Sequence, residues 1–316
     1  MKICAARSTV SDVRGKRIVG LTDEIVESDN QHTQSQQHRE DCMSFIDRIG
    51  IDVGRKLSIE DAIAWAAKHG VKAIDVQTDI APNALESFDG KRCARVLAAC
   101  DKTGVSIAMH TLSAVNVAEI SPILRDATDQ YLAAYVALAA KLKAKWVIVH
   151  GGYSFTSDVK LRKEAAVARL ARTVKLADKA GVQLLLENLN GEPERAEVHY
   201  MPDTLEDTQD FLRQLSSPSL RWSFTINHAH YDPLGIKGWV ESMDMRFCGE
   251  VRVADNNGLY EIHMHPGTGT VDFVKMFRLI EGTGYRGPYT CGWGTVEQML
   301  EGRNYLADKA REAGVA

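Results

Sequence analysis

No stretch of this 316-residue chain approaches the roughly 18–20 consecutive apolar residues that a membrane-spanning helix requires, and its start lacks the apolar segment of a secretory signal. The expectation is a cytoplasmic protein with no membrane partner. The six cysteines, Cys4, Cys42, Cys93, Cys100, Cys248 and Cys291, form no C-x-x-C pair, which suggests neither a zinc ribbon nor a disulfide framework. Positive charge is also short. Lys and Arg number 38 against 42 Asp and Glu, a net charge of −4, so the whole molecule offers no attractive field to a polyanion and nucleic acid is not an expected partner. No G-x-G-x-x-G follows the first apolar run, which weakens an open dinucleotide-binding sheet as the fold.

What is present is the composition of an ordinary globular protein, 45% hydrophobic and 25% charged. Residues 1–42 read differently from the rest. Asp29 to Asp41 is polar and rich in Gln and His without a period of 2 or 3.6, so it reads as a flexible arm, with His32 and His38 as solvated low-complexity residues. Residues 1–42 are therefore expected to be an N-terminal extension and 43–316 the catalytic domain, since Met43 opens a regular pattern.

From there a unit recurs: an amphipathic helix, a small-residue stop, then a short apolar run ending in polar residues. Stops followed by strand starts stand at Gly70-Val71, Gly104-Val105 and Gly181-Val182. The apolar runs are Phe45 to Val53, Lys72 to Val76, Ser106 to His110, Trp146 to His150, Gln183 to Glu187, Arg221 to Thr225, Glu250 to Ala254 and Pro288 to Cys291. Helix starts appear at Ser58-Ile59-Glu60-Asp61 and in the capping box Thr295-Val296-Glu297-Gln298. Eight alternating strand–helix units predict an α/β fold, a single (β/α)₈ barrel, with an open doubly wound sheet as the other arrangement.

Barrel active sites are built at the C-terminal ends of the strands. Those positions hold Asp75 and Asp79, His110, His150, Glu187, then Thr225, Asn227, His228 and His230, then Arg252, Asp255, Glu261 and His263, and last Cys291-Gly292-Trp293. Imidazole and carboxylate together are the ligand set that suits zinc, manganese or iron. Trp293 and Tyr153 on mouth loops offer an aromatic wall, while Gly267-Thr268-Gly269 reads as a tight turn rather than a phosphate cradle. Cys291 has no paired base and reads as a buried thiol.

The segments Val147-Ile148-Val149-His150-Gly151-Gly152, Leu185-Leu186-Glu187-Asn188, Asn227-His228-Ala229, Ala254-Asp255-Asn256-Asn257-Gly258 and His263-Met264-His265-Pro266-Gly267-Thr268-Gly269-Thr270-Val271-Asp272-Phe273, in that order, resemble the xylose isomerase-like barrels. The likeness runs from about Met43 to the C-terminus. That superfamily includes sugar phosphate isomerases and epimerases, dehydratases and zinc-dependent AP endonucleases. In its isomerases the resemblance implies a central divalent ion held by a Glu on strand five, an Asp on strand six, a His on strand seven and a Glu on strand eight, the two glutamates moving protons. Here the first is Glu187 and the strand-six substrate histidine is His228, but the other ligand positions fall on Thr225, Arg252 and Gly292.

Thr is a poor ligand for a hard ion, Gly offers none, and a guanidinium repels a cation. No metal is therefore expected at the usual central site, and Arg252 is expected to replace the ion's charge, paired with Glu187. The resemblance leaves room for an off-centre zinc or manganese ion on His110, His150 and Glu187, or on His228, Glu261 and His263. Its implied activity is that of a sugar isomerase or epimerase acting by proton transfer next to a carbonyl on a small polyhydroxylated or keto substrate. Glu187 would be the base, Arg252 would stabilise the enolate, and His228 and His263 would orient or protonate oxygens; His110, His150, Asn227, Asp255 and Trp293 would bind substrate. With one strand-end glutamate lost, a one-base lyase, dehydratase or isomerase step is expected over two-base epimerisation. A catalytically inactive barrel serving as a ligand-binding or partner subunit is the other reading, and a homodimer is compatible with the family.

Overall fold

The apolar runs become strands because their alternate residues are needed on both faces of one closed sheet. In the computed structural model, which describes residues 44–316, the strands are β1 (Ile49–Gly54), β2 (Ala73–Val76), β3 (Ser106–His110), β4 (Val147–Val149), β5 (Tyr153–Phe155), β6 (Leu184–Glu187), β7 (Val198–Tyr200), β8 (Leu220–Thr225), β9 (Cys248–Val253) and β10 (Tyr289–Cys291). Eight of them pair in parallel and close into a barrel in the order β1–β10–β9–β8–β6–β4–β3–β2. The predicted (β/α)₈ fold is therefore present. The expected extension, with His32, His38 and the boundary at Met43, lies outside the described residues.

The first run begins as a 3₁₀ turn, Phe45–Arg48, before β1 starts at Ile49. Sequence reading missed one element. β5 and β7, each three residues long and each following a barrel strand, pair antiparallel with Tyr153 opposite Tyr200, and so form a small sheet outside the barrel.

Helices cover the outside, among them Ile59–Lys68, Pro122–Leu142, Val159–Ala180, Phe273–Gly282 and Val296–Glu312. Their starts are fixed as the sequence predicts. Ser58 accepts from the Asp61 amide, and Thr295 and Gln298 form the reciprocal box, each cap contributing on the order of 1 kcal/mol. The apolar core lies between sheet and helices, and alternation then decides what enters the barrel. In β9, Val251 and Val253 join that core, which turns Glu250 and Arg252 inward; in β8, Trp222 and Phe224 do the same and leave Ser223 and Thr225 inside. Among the described residues no helix is long and apolar enough to cross a membrane.

Candidate active site

Eight of the sequence-predicted residues, Glu187, His228, Arg252, Glu261, His263, His110, His150 and Asn227, line one cavity of about 280 Å³ at the C-terminal end of the barrel. They come from β3, β6 and β9, from the loops after β4 and β9 and from the short helix Ile226–Tyr231 after β8, which only barrel closure brings together. Asp255 and Trp293 do not line it. Trp293 instead sets its ring edge-on to His265, with centroids 4.9 Å apart. The aromatic member of the wall is Tyr200 of the missed β7 strand, against which Tyr153 packs at 6.2 Å.

Asp255 corrects the expectation most clearly. It is fully buried, and its carboxylate accepts the amides of Asn256 at 2.9 Å, Gly267 at 2.8 Å, Gly269 at 2.9 Å and Val271 at 3.1 Å. The glycine turn does cradle an anion, but the anion is the protein's own side chain. A Cβ at Gly269 would collide with that carboxylate, which accounts for the glycine. Asp255→Asn exchanges an acceptor-only group for one with donors aimed at amide donors. It should lower the unfolding free energy by about 1.5–3 kcal/mol, read by urea denaturation; an unchanged midpoint would remove the loop-clamping role.

Arg252 is 6% exposed and turned into the barrel. Its expected pairing with Glu187 is the weakest of its contacts: Nε stands 4.0 Å from Glu187 Oε1. Instead Nη2 donates to Asp52 Oδ2 at 2.5 Å, and Nη1 donates to Asp75 Oδ2 at 2.5 Å and Glu250 Oε1 at 3.2 Å. Burial would depress the guanidinium's pKa, but the surrounding carboxylates raise it well above the usual value, so it stays cationic. Nε–H and one N–H of Nη2 meet no hydrogen-bond acceptor among the described residues and remain for a ligand.

Sequence reading did not single out Asp52 or Glu250. The signal for Glu250 was available, because a Glu and an Arg two apart in an apolar strand share a face. Glu250 is fully buried and accepts from Ser223 at 3.0 Å and Thr290 at 2.8 Å; burial and the nearby Asp75 push its pKa up, although Arg252 opposes this. Asp75 goes the other way, because Arg252 and His110 outweigh its burial.

Glu187 closes β6. Its Oε1 accepts from Thr225 Oγ1 at 2.5 Å, while Oε2 lies 3.1 Å from His150 Nε2 and 3.4 Å from His110 Nε2. The two imidazole Nε2 atoms are 3.1 Å apart. His150 Nδ1 lies 3.3 Å from Thr111 Oγ1, which also stands 2.9 Å from the Ile148 carbonyl. His110 supplies a positive charge: burial would lower its pKa, but Asp75 and Glu187 push it up to about 10. His150 is lowered, chiefly by burial, and stays neutral. Burial likewise opposes the ionised form of Glu187, yet the bonds from both histidines and the charge of Arg252 hold its pKa well below the carboxylate range.

Three groups of side chains have metal-ligating chemistry, and the Arg252 guanidinium already bonds both carboxylates of one of them, Asp52, Asp75 and His110, which leaves two. In His110, His150 and Glu187 the donor separations of 3.1–3.4 Å match the edge of about 3.3 Å between ligands some 2.0 Å from a tetrahedral ion. In the other, Glu261 Oε1 lies 2.9 Å from His263 Nε2 and 3.4 Å from His228 Nε2. His228 Nδ1 donates to the Asn188 carbonyl at 2.8 Å, which orients the ring with Nε2 toward Glu261. Burial would raise Glu261, but the two histidines hold it at about 2. Its Oε2 and the Asn227 Nδ2 are both buried with no hydrogen-bond partner among the described residues. The Arg252 charge bears on both histidines of the first group. The opposing or supporting charges on His228 come from Glu261 and Glu187.

A family model described as xylose isomerase-like TIM barrel matches residues 63–315. An uncharacterized protein of Methanocaldococcus jannaschii is 24% identical over 196 residues, which are 59% of this chain and 64% of that protein, so the chain spans less than two thirds of that relative's length. Among solved structures, a D-tagatose 3-epimerase-like protein superposes with a TM-score of 0.73 at 20% identity, over 84% of this chain and 98% of that one. The D-psicose 3-epimerase of Clostridium cellulolyticum H10 gives 0.69 at 16% identity, over 84% and 98%. A 3-keto-D-glucoside 4-epimerase of E. coli gives 0.67 at 15% identity, over 83% and 99%. At these identities the structural likeness carries the fold.

Proposed function

The chain belongs to the xylose isomerase-like TIM barrel family, and from that premise we propose that its cavity moves a proton next to the carbonyl of a small keto sugar, with Arg252 in place of a central divalent ion. The observation that carries this reading is the guanidinium itself, seated in the barrel with two N–H groups free and an ionised carboxylate 4.0 Å from its Nε. The solved relatives are named for epimerising D-tagatose, D-psicose and 3-keto-D-glucosides. A cavity of this size walled by imidazole, amide and carboxylate suits a polyhydroxylated ketone rather than an apolar ligand.

The central ion that the family's isomerases imply does not fit these residues. Thr225 has its hydroxyl committed to Glu187, Gly292 has no side chain, and Arg252 brings a permanent cation to the position. The group His228, Glu261 and His263 does fit a zinc or manganese ion, because one imidazole is oriented from behind and one carboxylate oxygen is orphaned. When bound there, the ion would supply a Lewis-acidic charge to a substrate oxygen.

Glu187 takes the proton. Its low pKa keeps the basic form fully populated at neutral pH but makes it a weak base, and the free N–H groups of Arg252 offset this by stabilising the enolate oxygen. His110 and His150 hold the Glu187 carboxylate in place, and the orphaned amide of Asn227 donates to a substrate hydroxyl.

The test is a screen of free ketohexoses and keto-glucosides with metal content measured on the same sample. The reading expects turnover, together with about one ion per chain that is lost in His228→Ala. Absence of turnover across the screen would favour the inert binding barrel. A stoichiometric, activity-restoring ion bound through Glu187 at the barrel centre would overturn the role of Arg252.

A further inference from the structure

Arg252 is held by three carboxylates, and they are not equivalent. The side chains of Asp75 and Glu250 are 1% and 0% exposed, sealed beneath the guanidinium, whereas that of Asp52 is 19% exposed and lines the cavity. Asp52 gives only Oδ2 to Arg252, and Oδ1 has no donor among the described residues. Its strand, β1, stands four places from β6 in the closed order of eight, so Asp52 and Glu187 rise from diametrically opposite walls. Arg252 spans the gap, 2.5 Å from one carboxylate and 4.0 Å from the other.

Gly292 shows why the space is open to Asp52. A Cβ built at Gly292 would stand 3.5 Å from Asp52 Cβ, 3.6 Å from Asp52 Oδ2 and 3.6 Å from Arg252 Nη2. β10 therefore sends no side chain into this corner, and Asp52 and Arg252 fill it.

We propose that Asp52 is a second catalytic acid–base, acting on the face of the substrate opposite Glu187. This rests on the proton-transfer reading above and adds its stereochemical outcome. A carbonyl oxygen bound to the free N–H groups of Arg252 places the neighbouring carbon between the two walls. Glu187 takes the proton from that carbon, the C–H pair becomes the C=C bond of an enolate, and the carbonyl π pair moves onto the oxygen. The Asp52 carboxylate relays a proton from solvent to the opposite face of the same carbon, and the pair on oxygen returns to rebuild C=O. Glu187 then releases its proton to solvent, so the cycle balances without oxidant or reductant. The reverse direction exchanges the two roles. Inversion at the carbon follows, because one base can only return a proton to the face it came from. Under this proposal the step is a two-base epimerisation, where the sequence alone led to the expectation of a one-base step.

Deuterium uptake at C3 separates this from a structural role. D-fructose and D-psicose, which differ only at C3, are incubated singly in D₂O with the full chain and followed by proton NMR. The unaltered protein should exchange and interconvert both. Asp52→Asn should slow interconversion at least about 100-fold while one epimer still exchanges with retention, and Glu187→Gln should leave only the other epimer exchanging. Gly292 does not have a left-handed φ and has room for a side chain, so Asp52→Asn with Gly292→Asp, which returns a carboxylate from β10, should recover interconversion. That pair also covers the case in which Asp52→Asn folds poorly. Loss of both exchanges together in Asp52→Asn, without recovery in the double variant, or interconversion within about threefold of the unaltered protein, would overturn the proposal. Absence of exchange with either sugar by the unaltered protein would instead overturn the proton-transfer reading, and this one with it.

Discussion

Replacing Arg252 by methionine should lower the unfolding free energy by about 3–5 kcal/mol at neutral pH, the usual cost of leaving buried charge without its partner. Asp52, Asp75 and Glu250 all bond this guanidinium, and Glu187 lies 4.0 Å from it, so its loss strands a group of like charges inside the barrel. The pH dependence identifies the cause. Asp75 and Glu187 have folded pKa values below their unfolded ones, so their stabilisation is present above the unfolded carboxylate pKa and disappears as pH falls through the folded values. Removing Arg252 removes part of that contribution and pushes Glu250, already raised, further up. The deficit of the variant should therefore be largest near pH 7 and shrink toward pH 4, where the carboxylates can neutralise themselves by protonation. Equal urea midpoints for the variant and the unaltered protein at pH 7 would show that the acidic cluster does not depend on this cation. Arg252→Lys should recover only part of the loss, because an ammonium cannot reach three carboxylates on separate strands with planar geometry.

The largest effect on turnover should come from Glu187→Gln. General-base contributions are typically about 10²–10⁴-fold, and kcat should fall by that order on whichever keto sugar the protein turns over, while KM shifts only a few-fold. The substitution keeps shape and removes the base. Part of the loss will come through positioning, since the Glu187 carboxylate is what His110 and His150 close upon. Exchange of the substrate's C–H proton with D₂O separates the two effects: a positioning loss lowers exchange from both faces, and a base loss lowers it from one. Unchanged turnover in Glu187→Gln would remove this residue from the chemistry and leave the barrel as a binding protein.

Much of the site was legible because chemistry in a barrel is confined to strand ends, and the runs ending in His110, His150 and Glu187 announce themselves by breaking an apolar pattern. The departures at Thr225, Arg252 and Gly292 were legible for the same reason, once order and spacing suggested a family. Asp255 misled because it occupies an equivalent position, yet its oxygens are consumed by four amides of its own loop. No spacing rule separates a carboxylate facing a cavity from one facing its own backbone. Trp293 failed similarly, turning to His265, while Tyr200 came from a three-residue strand too short to show a period. Asp52 was hidden in plain alternation, since one polar residue in Ile51-Asp52-Val53 is what any half-buried strand presents.

By itself the sequence determined the alternation of strand and helix, the closed barrel that alternation favours, the strand-end side chains and the exchange of ligand types for an arginine, all of which follow from periodicity and residue chemistry along the chain. The tertiary structure alone decided which groups meet. Arg252 is separated by 200 residues from Asp52 and by 177 from Asp75, and closure of the barrel, not proximity in sequence, makes one guanidinium the counter-ion of carboxylates from separate strands. Which of those carboxylates stays open to the cavity depends on how strands pack and where a glycine leaves room, quantities that exist only after the chain has folded.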